Sequence, residues 1–263
     1  MKSVSAVLAI LAFISCAAAI DSADQETDQK AFVTCPIMRD TKTVPCWLVK
    51  YRGETYYLGI QIDQAAPFQP PELEHRVLVE GSVKDGSRIC GGLVLSPVRI
   101  SVLPEIDPSC TEILPAVDKY TVPFAPRGPG PNQPGNSVIS GPTPAEFKPP
   151  FQKKEFVVYF DFDAERAGRM TRVITEAMQY AKEARAKRVE VTGYRASVQL
   201  SDGTTLTEYP WIAEHRAAIM AETLKEIGVP ASAINVKWNP EAILGSGAKA
   251  FDKRRTTIVV APN

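Results

Sequence analysis

One stretch divides this chain before anything else about its fold can be argued. Residues 123–150 (PFAPRGPGPNQPGNSVISGPTPAEFKPP) are dominated by Pro, Gly, Asn and Ser and carry no hydrophobic periodicity. Proline fixes φ and has no N–H, so such a segment neither joins a sheet nor continues a helix, and it is biased toward extended polyproline II. One continuous core cannot run through it. The mature chain therefore reads as two modest folded units, residues 31–122 and 153–263, with residues 123–152 as a semi-rigid linker. PxxP spacings between Pro123 and Pro126 and between Pro126 and Pro129 suggest a second use, recruitment of a proline-binding partner. A spacer implies two units that act on separated things.

The first residues set the compartment. Lys2, an apolar run over residues 4–14 and the small residues Ser15, Cys16 and Ala17 to Ala19 follow the pattern of a secretory signal, with cleavage after Ala19. Residues 1–19 are then a signal peptide, too short to span a bilayer once read as an h-region, and no other segment could cross one. Residues 20–30 are polar and acidic and are expected to lack fixed structure. A rival reading takes residues 13–16 (FISC) as lipobox-like, with Cys16 lipidated and residues 17–30 a tether. Four cysteines remain, Cys35, Cys46, Cys90 and Cys110, as an oxidising compartment permits. Two disulfides are expected; of the three pairings, nearness in sequence favours Cys35 with Cys46 and Cys90 with Cys110. No C-x-x-C is present, and His75 and His215 lie far from each other and from any thiol pair, which speaks against zinc or redox chemistry. Lys plus Arg and Asp plus Glu number 30 each, evenly mixed, so there is no basic face for nucleic acid.

The N-terminal unit reads as a small, mostly-β domain. Residues 46–51 (CWLVKY) and 56–62 (YYLGIQI), separated by a turn-like Arg52-Gly53-Glu54-Thr55, form a plausible hairpin. Residues 75–83, 87–95 and 98–103 add three strand candidates with Gly and Pro at the corners. About five short strands suit a small closed or partly open barrel, OB-like in class. Trp47, Tyr51, Tyr56 and Tyr57 offer an aromatic platform, but alternation places them more simply in cross-strand packing, and no site is assigned to them.

The C-terminal unit is α+β. Residues 156–162 read as a buried strand. Asp163 reads as the N-cap of a helix with Met170, Val173, Ile174, Ala177, Met178 and Ala181 on its apolar face and Lys182, Arg185, Lys187 and Arg188 at its end. Residues 188–191 form the next strand, ending at Thr192-Gly193. A second helix spans about residues 211–227, with Pro210 at its start and Gly228 as its stop. Residues 234–238 and 255–260 supply two more strands, giving β-α-β-α-β-β with the helices on one face of the sheet.

Four segments, FVVYFDFD at 156–163, GYRA at 193–196, IAEHRA at 212–217 and DKRRTTIV at 252–259, stand in an order that resembles the OmpA-like peptidoglycan-binding domains of Gram-negative envelopes. The resemblance covers about residues 153–261. It implies a pocket for the diaminopimelate of the peptidoglycan stem peptide, with a turn Asp facing the ligand ammonium and a helix Arg facing its carboxylate. An Arg fork is the preferred carboxylate clamp. On this chain the helix Arg is Arg216, the final-strand pair is Arg254 and Arg255, and the turn glycine is Gly193. The acid of the turn is replaced by Ala196 and the usual Asn by Lys253, which leaves the ammonium unpaired at a cost of about 1–3 kcal/mol. Arg195 shifts the pocket toward anions. The longer loop over residues 196–210 brings Asp202 and Glu208, either of which could supply the missing charge. Arg216 either faces ligand or pairs with Glu208, Glu214 or another acid, and alternation turns only one of Arg254 and Arg255 inward. The tentative ligand set is Gly193, Arg195, Asp202, Glu208, Arg216, Arg254 and Arg255.

No paired acid and base, phosphate loop, nucleophile elbow or histidine metal motif is present. The chain thus reads as a non-enzymatic protein of the periplasm or outer-membrane surface, without cofactor or metal, whose OmpA-like domain associates with peptidoglycan through altered or weakened diaminopimelate recognition. The alternative is an envelope adaptor that binds other proteins or an anionic ligand through the altered pocket and the N-terminal domain.

Overall fold

The computed structural model describes residues 29–61, 69–120, 122, 146–167 and 171–262. The signal segment, Cys16 and most of the proline-rich linker lie outside the described residues. Among those described, no helix is long and apolar enough to cross a membrane.

The N-terminal domain is one seven-stranded sheet built from β1 (Gln29–Thr34), β2 (Pro36–Arg39), β3 (Cys46–Tyr51), β4 (Glu54–Ile60), β5 (His75–Ile89), β6 (Gly92–Ile106) and β7 (Ile113–Leu114), in the order β1-β5-β6-β4-β3-β2-β7. The expected first hairpin is β3–β4. The three later strand candidates are instead two long strands, because β5 and β6 keep pairing, across a register shift between Val83 and Arg88, up to a turn at Cys90-Gly91. β1 starts at Gln29, inside the stretch expected to lack structure. Its polar sequence carries little strand signal, and antiparallel pairing of residues 29–34 with β5 orders it. The sheet coils until β1 and β3, four places apart, face each other: Phe32 stacks on Tyr51 at 4.3 Å between ring centroids. Trp47, Tyr51 and Tyr56 pack in the interior with Phe32, Val77, Val79 and Ile100, so the aromatic residues are core.

Two disulfides close this domain, Cys35–Cys110 and Cys46–Cys90. The sequence-nearest pairing is therefore corrected. Cys46 and Cys90 are brought together because β4, which pairs with β3, also pairs with β6 next to the β5–β6 turn, and Cys110 folds back after β6 to the β1–β2 junction that carries Cys35.

The C-terminal domain contains β8 (Lys154–Tyr159), α1 (Thr171–Glu183), β9 (Arg188–Gln199), β10 (Thr205–Thr207), α2 (Ile212–Glu226), β11 (Ile234–Ser246) and β12 (Arg255–Ala261). β12 lies between β8 and β9, antiparallel to both, and β11 adds parallel to the other side of β9. Both helices cover one face, where Ile174, Ala177 and Tyr180 of α1 and Ala217, Met220 and Leu224 of α2 pack on Phe156, Val158, Val191 and Ile258. α2 ends at Gly228, whose φ of +105° stops the helix without a side-chain clash. Phe147 and Phe151, at the end of the expected linker, pack edge-on against Tyr180, so this core recruits chain before residue 153.

Three local expectations change. Asp163 has φ +54° and sits in a turn, so the first helix begins at Thr171 rather than at an Asp163 cap. β9 does not end at Gly193 but runs straight through Tyr194, Arg195 and Ala196, and residues 205–207 return as a strand within the expected loop. Gly193 is needed for packing: a Cβ there would stand 1.9 Å from the Ala213 carbonyl oxygen, so its absence lets the start of α2 rest on the sheet.

Non-reducing peptide mapping checks the corrected connectivity. Cross-linked peptides joining Cys35 to Cys110 and Cys46 to Cys90 are expected; a Cys35–Cys46 peptide contradicts the sheet order around β3 and β6.

Candidate functional site

Arg216 sits on α2 one turn past its start, on the side facing β9, and is fully buried. A guanidinium offers five N–H donors and no acceptor, so each must be met when water is removed. All five are. Nε donates to the Ala164 carbonyl (2.8 Å); Nη1 donates to the Tyr194 carbonyl and to Glu208 Oε2 (3.1 Å each); Nη2 donates to the Asp161 carbonyl (3.1 Å) and to Glu208 Oε1 (2.6 Å). Its plane also lies over the Phe160 ring at 4.7 Å.

Glu208 is equally well met. Its Oε1 accepts the Asp163 N–H (2.9 Å) and its Oε2 the Ala196 N–H (2.7 Å), in addition to the Arg216 fork. Asp163 returns a bond, its Oδ1 accepting the Tyr209 N–H at 2.8 Å. The left-handed turn at Asp163, a conformation that Asp tolerates, aims its N–H and carboxylate at neighbouring residues of one segment. Both side chains of the Arg216–Glu208 pair are wholly shielded from solvent. Removing one member of such a pair costs about 3–5 kcal/mol, because the other charge is left buried and unmet.

The second motif arginine is answered from the other domain. Arg254 donates from Nη1 to Glu80 Oε1 (3.0 Å), from Nη2 to Glu80 Oε2 (2.5 Å) and from Nε to the Phe160 carbonyl (3.3 Å), and this pair is also fully buried. Glu80 lies on β5, where alternation sends Val77 and Val79 into the N-terminal core and Leu78 and Glu80 to the opposite face. β6 repeats the device: Ile100 points to the core, while Ser101, Leu103 and Glu105 point across. The Ser101 hydroxyl accepts the Phe162 N–H at 2.9 Å, and Glu105 takes the Tyr209 hydroxyl proton in a short hydrogen bond. Ala31, Leu78 and Leu103 close a shared apolar cluster with Phe162, Val198 and Ala250. The two domains are thus packed at the arginine end of the C-terminal sheet, and the expectation of units acting on separated things is replaced by a joint.

The remaining candidates fall elsewhere. Arg195 is held by backbone, its Nε donating to the Pro240 carbonyl and its Nη1 to the Glu208 carbonyl, both at 2.6 Å. Asp202 is exposed at the hairpin tip, where it accepts the Thr204 N–H and hydroxyl, and these bonds hold its carboxyl below the usual range. Of the two acids offered by the loop, only Glu208 reaches Arg216. Arg255 points outward, donating to the Asp252 carbonyl and lying over the Tyr194 ring at 4.8 Å. Cys35, Cys110 and Asp107 come within 4.8 Å of one another, but both sulfurs are committed to a disulfide and cannot serve as thiolate ligands.

Sequence reasoning did not single out Glu80, Ser101 or Glu105. A signal was present: Val77-Leu78-Val79 is apolar on both faces, which calls for cover on both sides, and an acid follows it inside the strand.

Two further acids beside the joint are perturbed. Burial raises Asp161 from 3.8 to about 6, against the opposing pull of Arg254, Arg99 and Arg216; burial likewise raises Asp163 to about 6, helped by the nearby Glu208 charge and opposed by the Tyr209 N–H. Both hold protons more tightly folded than unfolded, so their contribution to stability is full below about pH 4 and is lost as pH rises through about 6. Glu54, Asp85, Asp107, Glu190 and Asp202 are shifted downward, so their contribution to stability is present above the ordinary carboxylate range and is lost only as pH falls below it. The melting temperature is therefore expected to be higher at pH 5 than at pH 7.5, and Asp161→Asn is expected to narrow that gap. An unchanged gap contradicts the burial assigned to Asp161.

No sequence-family model matches the chain, and no curated protein matches it. Among solved structures it is similar to a MotB-like protein of Desulfovibrio vulgaris (14% identity, 42% of this chain and 76% of that one, TM-score 0.34). It is also similar to an OmpA-like domain from Francisella tularensis (19%, 42% and 73%, TM-score 0.30) and to the peptidoglycan-associated lipoprotein of Burkholderia pseudomallei (21%, 40% and 88%, TM-score 0.29). Each of these likenesses covers 40–42% of this chain; within the chain, both buried motif arginines are neutralised by its own acids, Arg216 by Glu208 and Arg254 by Glu80.

Proposed function

We propose that this chain is a non-enzymatic protein of the Gram-negative cell envelope, exported to the periplasm, whose OmpA-like domain keeps the fold of a peptidoglycan-associated module with its diaminopimelate recognition weakened. The observation that carries the weakening is the closure of Arg216: every N–H of its guanidinium already has an acceptor inside the chain, on Glu208 and three carbonyls. A ligand carboxylate must displace a buried, fully bonded Glu208 to reach it, and the ligand ammonium still lacks the acid replaced by Ala196. The exported compartment is supported by the leader pattern of residues 1–19 and by the two disulfides. Relatives in fold include a peptidoglycan-associated lipoprotein.

A second reading, an adaptor that engages other envelope proteins, draws on one observation. β11 is bonded only to β9 among the described strands, and Val236, Trp238 and Leu244 along it are exposed.

Sedimentation with purified sacculi at moderate salt separates the readings. The first expects partial retention, well below that of an OmpA-like domain with an open pocket and insensitive to added diaminopimelate. Retention as complete as that of an open-pocket domain, with release by diaminopimelate, overturns the closed pocket. No retention at all transfers the case to the adaptor.

A further inference from the structure

The donors around Glu208 all come from outside the segment that carries it. The guanidinium comes from α2, one N–H from Ala196 on β9 and another from Asp163 in the turn after β8. All three elements belong to the β-α-β-α-β-β frame, whereas Glu208 arrives on residues 200–210, the extended connection between β9 and α2. A planar fork flanked by two convergent backbone N–H groups is a carboxylate receptor by its chemistry. We infer that Glu208 is a tethered stand-in for the carboxylate of an external ligand, and that the N-terminal domain keeps it seated by clamping the β9–β10 hairpin. The ligand class rests on the OmpA-like reading of Arg216; the clamp rests on contacts alone.

Those contacts are specific to the hairpin. Ser201 donates its N–H to the Ala31 carbonyl at 2.7 Å and accepts the Ala31 N–H on its hydroxyl at 3.0 Å, a reciprocal pair that ties the hairpin turn to β1. Tyr209, next to Glu208, donates its hydroxyl to Glu105 on β6. Between them, Leu200 and Leu206 pack on the cluster formed by Ala31, Leu78 and Leu103. Within its own domain, among the described residues, the hairpin has three β10–β9 register pairs, the Ser197–Thr207 hydroxyl bond, bonds from the Gln199 side chain to the Gly203 and Thr204 carbonyls, the Tyr209 N–H bond to Asp163, and packing of Leu200 and Leu206 with Phe162 and Val198 of the shared cluster. A three-residue strand is weak alone, so the contacts to Ala31 and Glu105 add a hold on the hairpin from the N-terminal domain. Occupancy by an external carboxylate and docking of the hairpin on the N-terminal domain are then mutually opposed, and each weakens the other by the same factor.

Two measurements on the full chain test this without sacculi, so failure here leaves the outcome of the peptidoglycan experiment readable. In the Ser201→Ala/Tyr209→Phe variant, which alters neither Arg216 nor Glu208, the Ala196 and Asp163 amides that bond Glu208 are expected to exchange about tenfold faster, together, while α1 amides keep their wild-type rates. Wild-type exchange at both amides overturns the clamp. In Glu208→Ala, the melting temperature in sodium chloride is expected to fall by about 10 °C and to recover saturably in sodium acetate at equal ionic strength. Equal melting in the two salts overturns the seat, and if that variant does not fold, the exchange measurement decides the inference.

Discussion

A buried guanidinium dictates more of this structure than any apolar contact does. Arg216 cannot be dry unless five acceptors converge on it, and the chain meets that demand by bending three segments toward α2. The turn after β8 gives the Asp161 and Ala164 carbonyls, β9 gives that of Tyr194, and the hairpin gives Glu208. Gly193 makes the approach possible by letting α2 sit against the sheet. Glu208 in turn needs four donors and takes two of them from backbone, which fixes the left-handed turn at Asp163 and the straight run of β9 through Ala196.

Arg254 extends the same demand across the domain boundary. Its carboxylate partner is on β5 of the N-terminal domain, 174 residues away in sequence, so the C-terminal sheet is completed electrically only when the β domain is docked. The stretches on either side of the proline-rich segment, most of which lies outside the described residues, share buried charge, apolar contacts and backbone hydrogen bonds.

Local pattern made much of the fold legible. The β3–β4 hairpin, α2 with its Gly228 stop and the last strand followed from alternation, helical spacing and breakers, because each is short in range and packs one face. Four kinds of feature were not legible, each for a nonlocal reason. Disulfide pairing depends on which strands become neighbours. Strand β1 is ordered by β5 rather than by its own residues. Asp163 has the composition of a helix cap but is pulled into a left-handed turn by Glu208 and Tyr209. At the site, motif order identified Arg216 and offered Glu208 as a possible partner, but Glu80 was invisible because nothing in sequence links β5 to Arg254. The two-faced apolar run at Val77, Leu78 and Val79 was the available clue that something covers β5 on both sides.

The central claim is that the two domains form one unit through these buried arginine pairs. Scanning calorimetry of the full chain with its disulfides intact tests it most directly. One transition whose calorimetric and van't Hoff enthalpies agree is predicted. Two resolved transitions, with the C-terminal domain melting independently of the β domain, would contradict it.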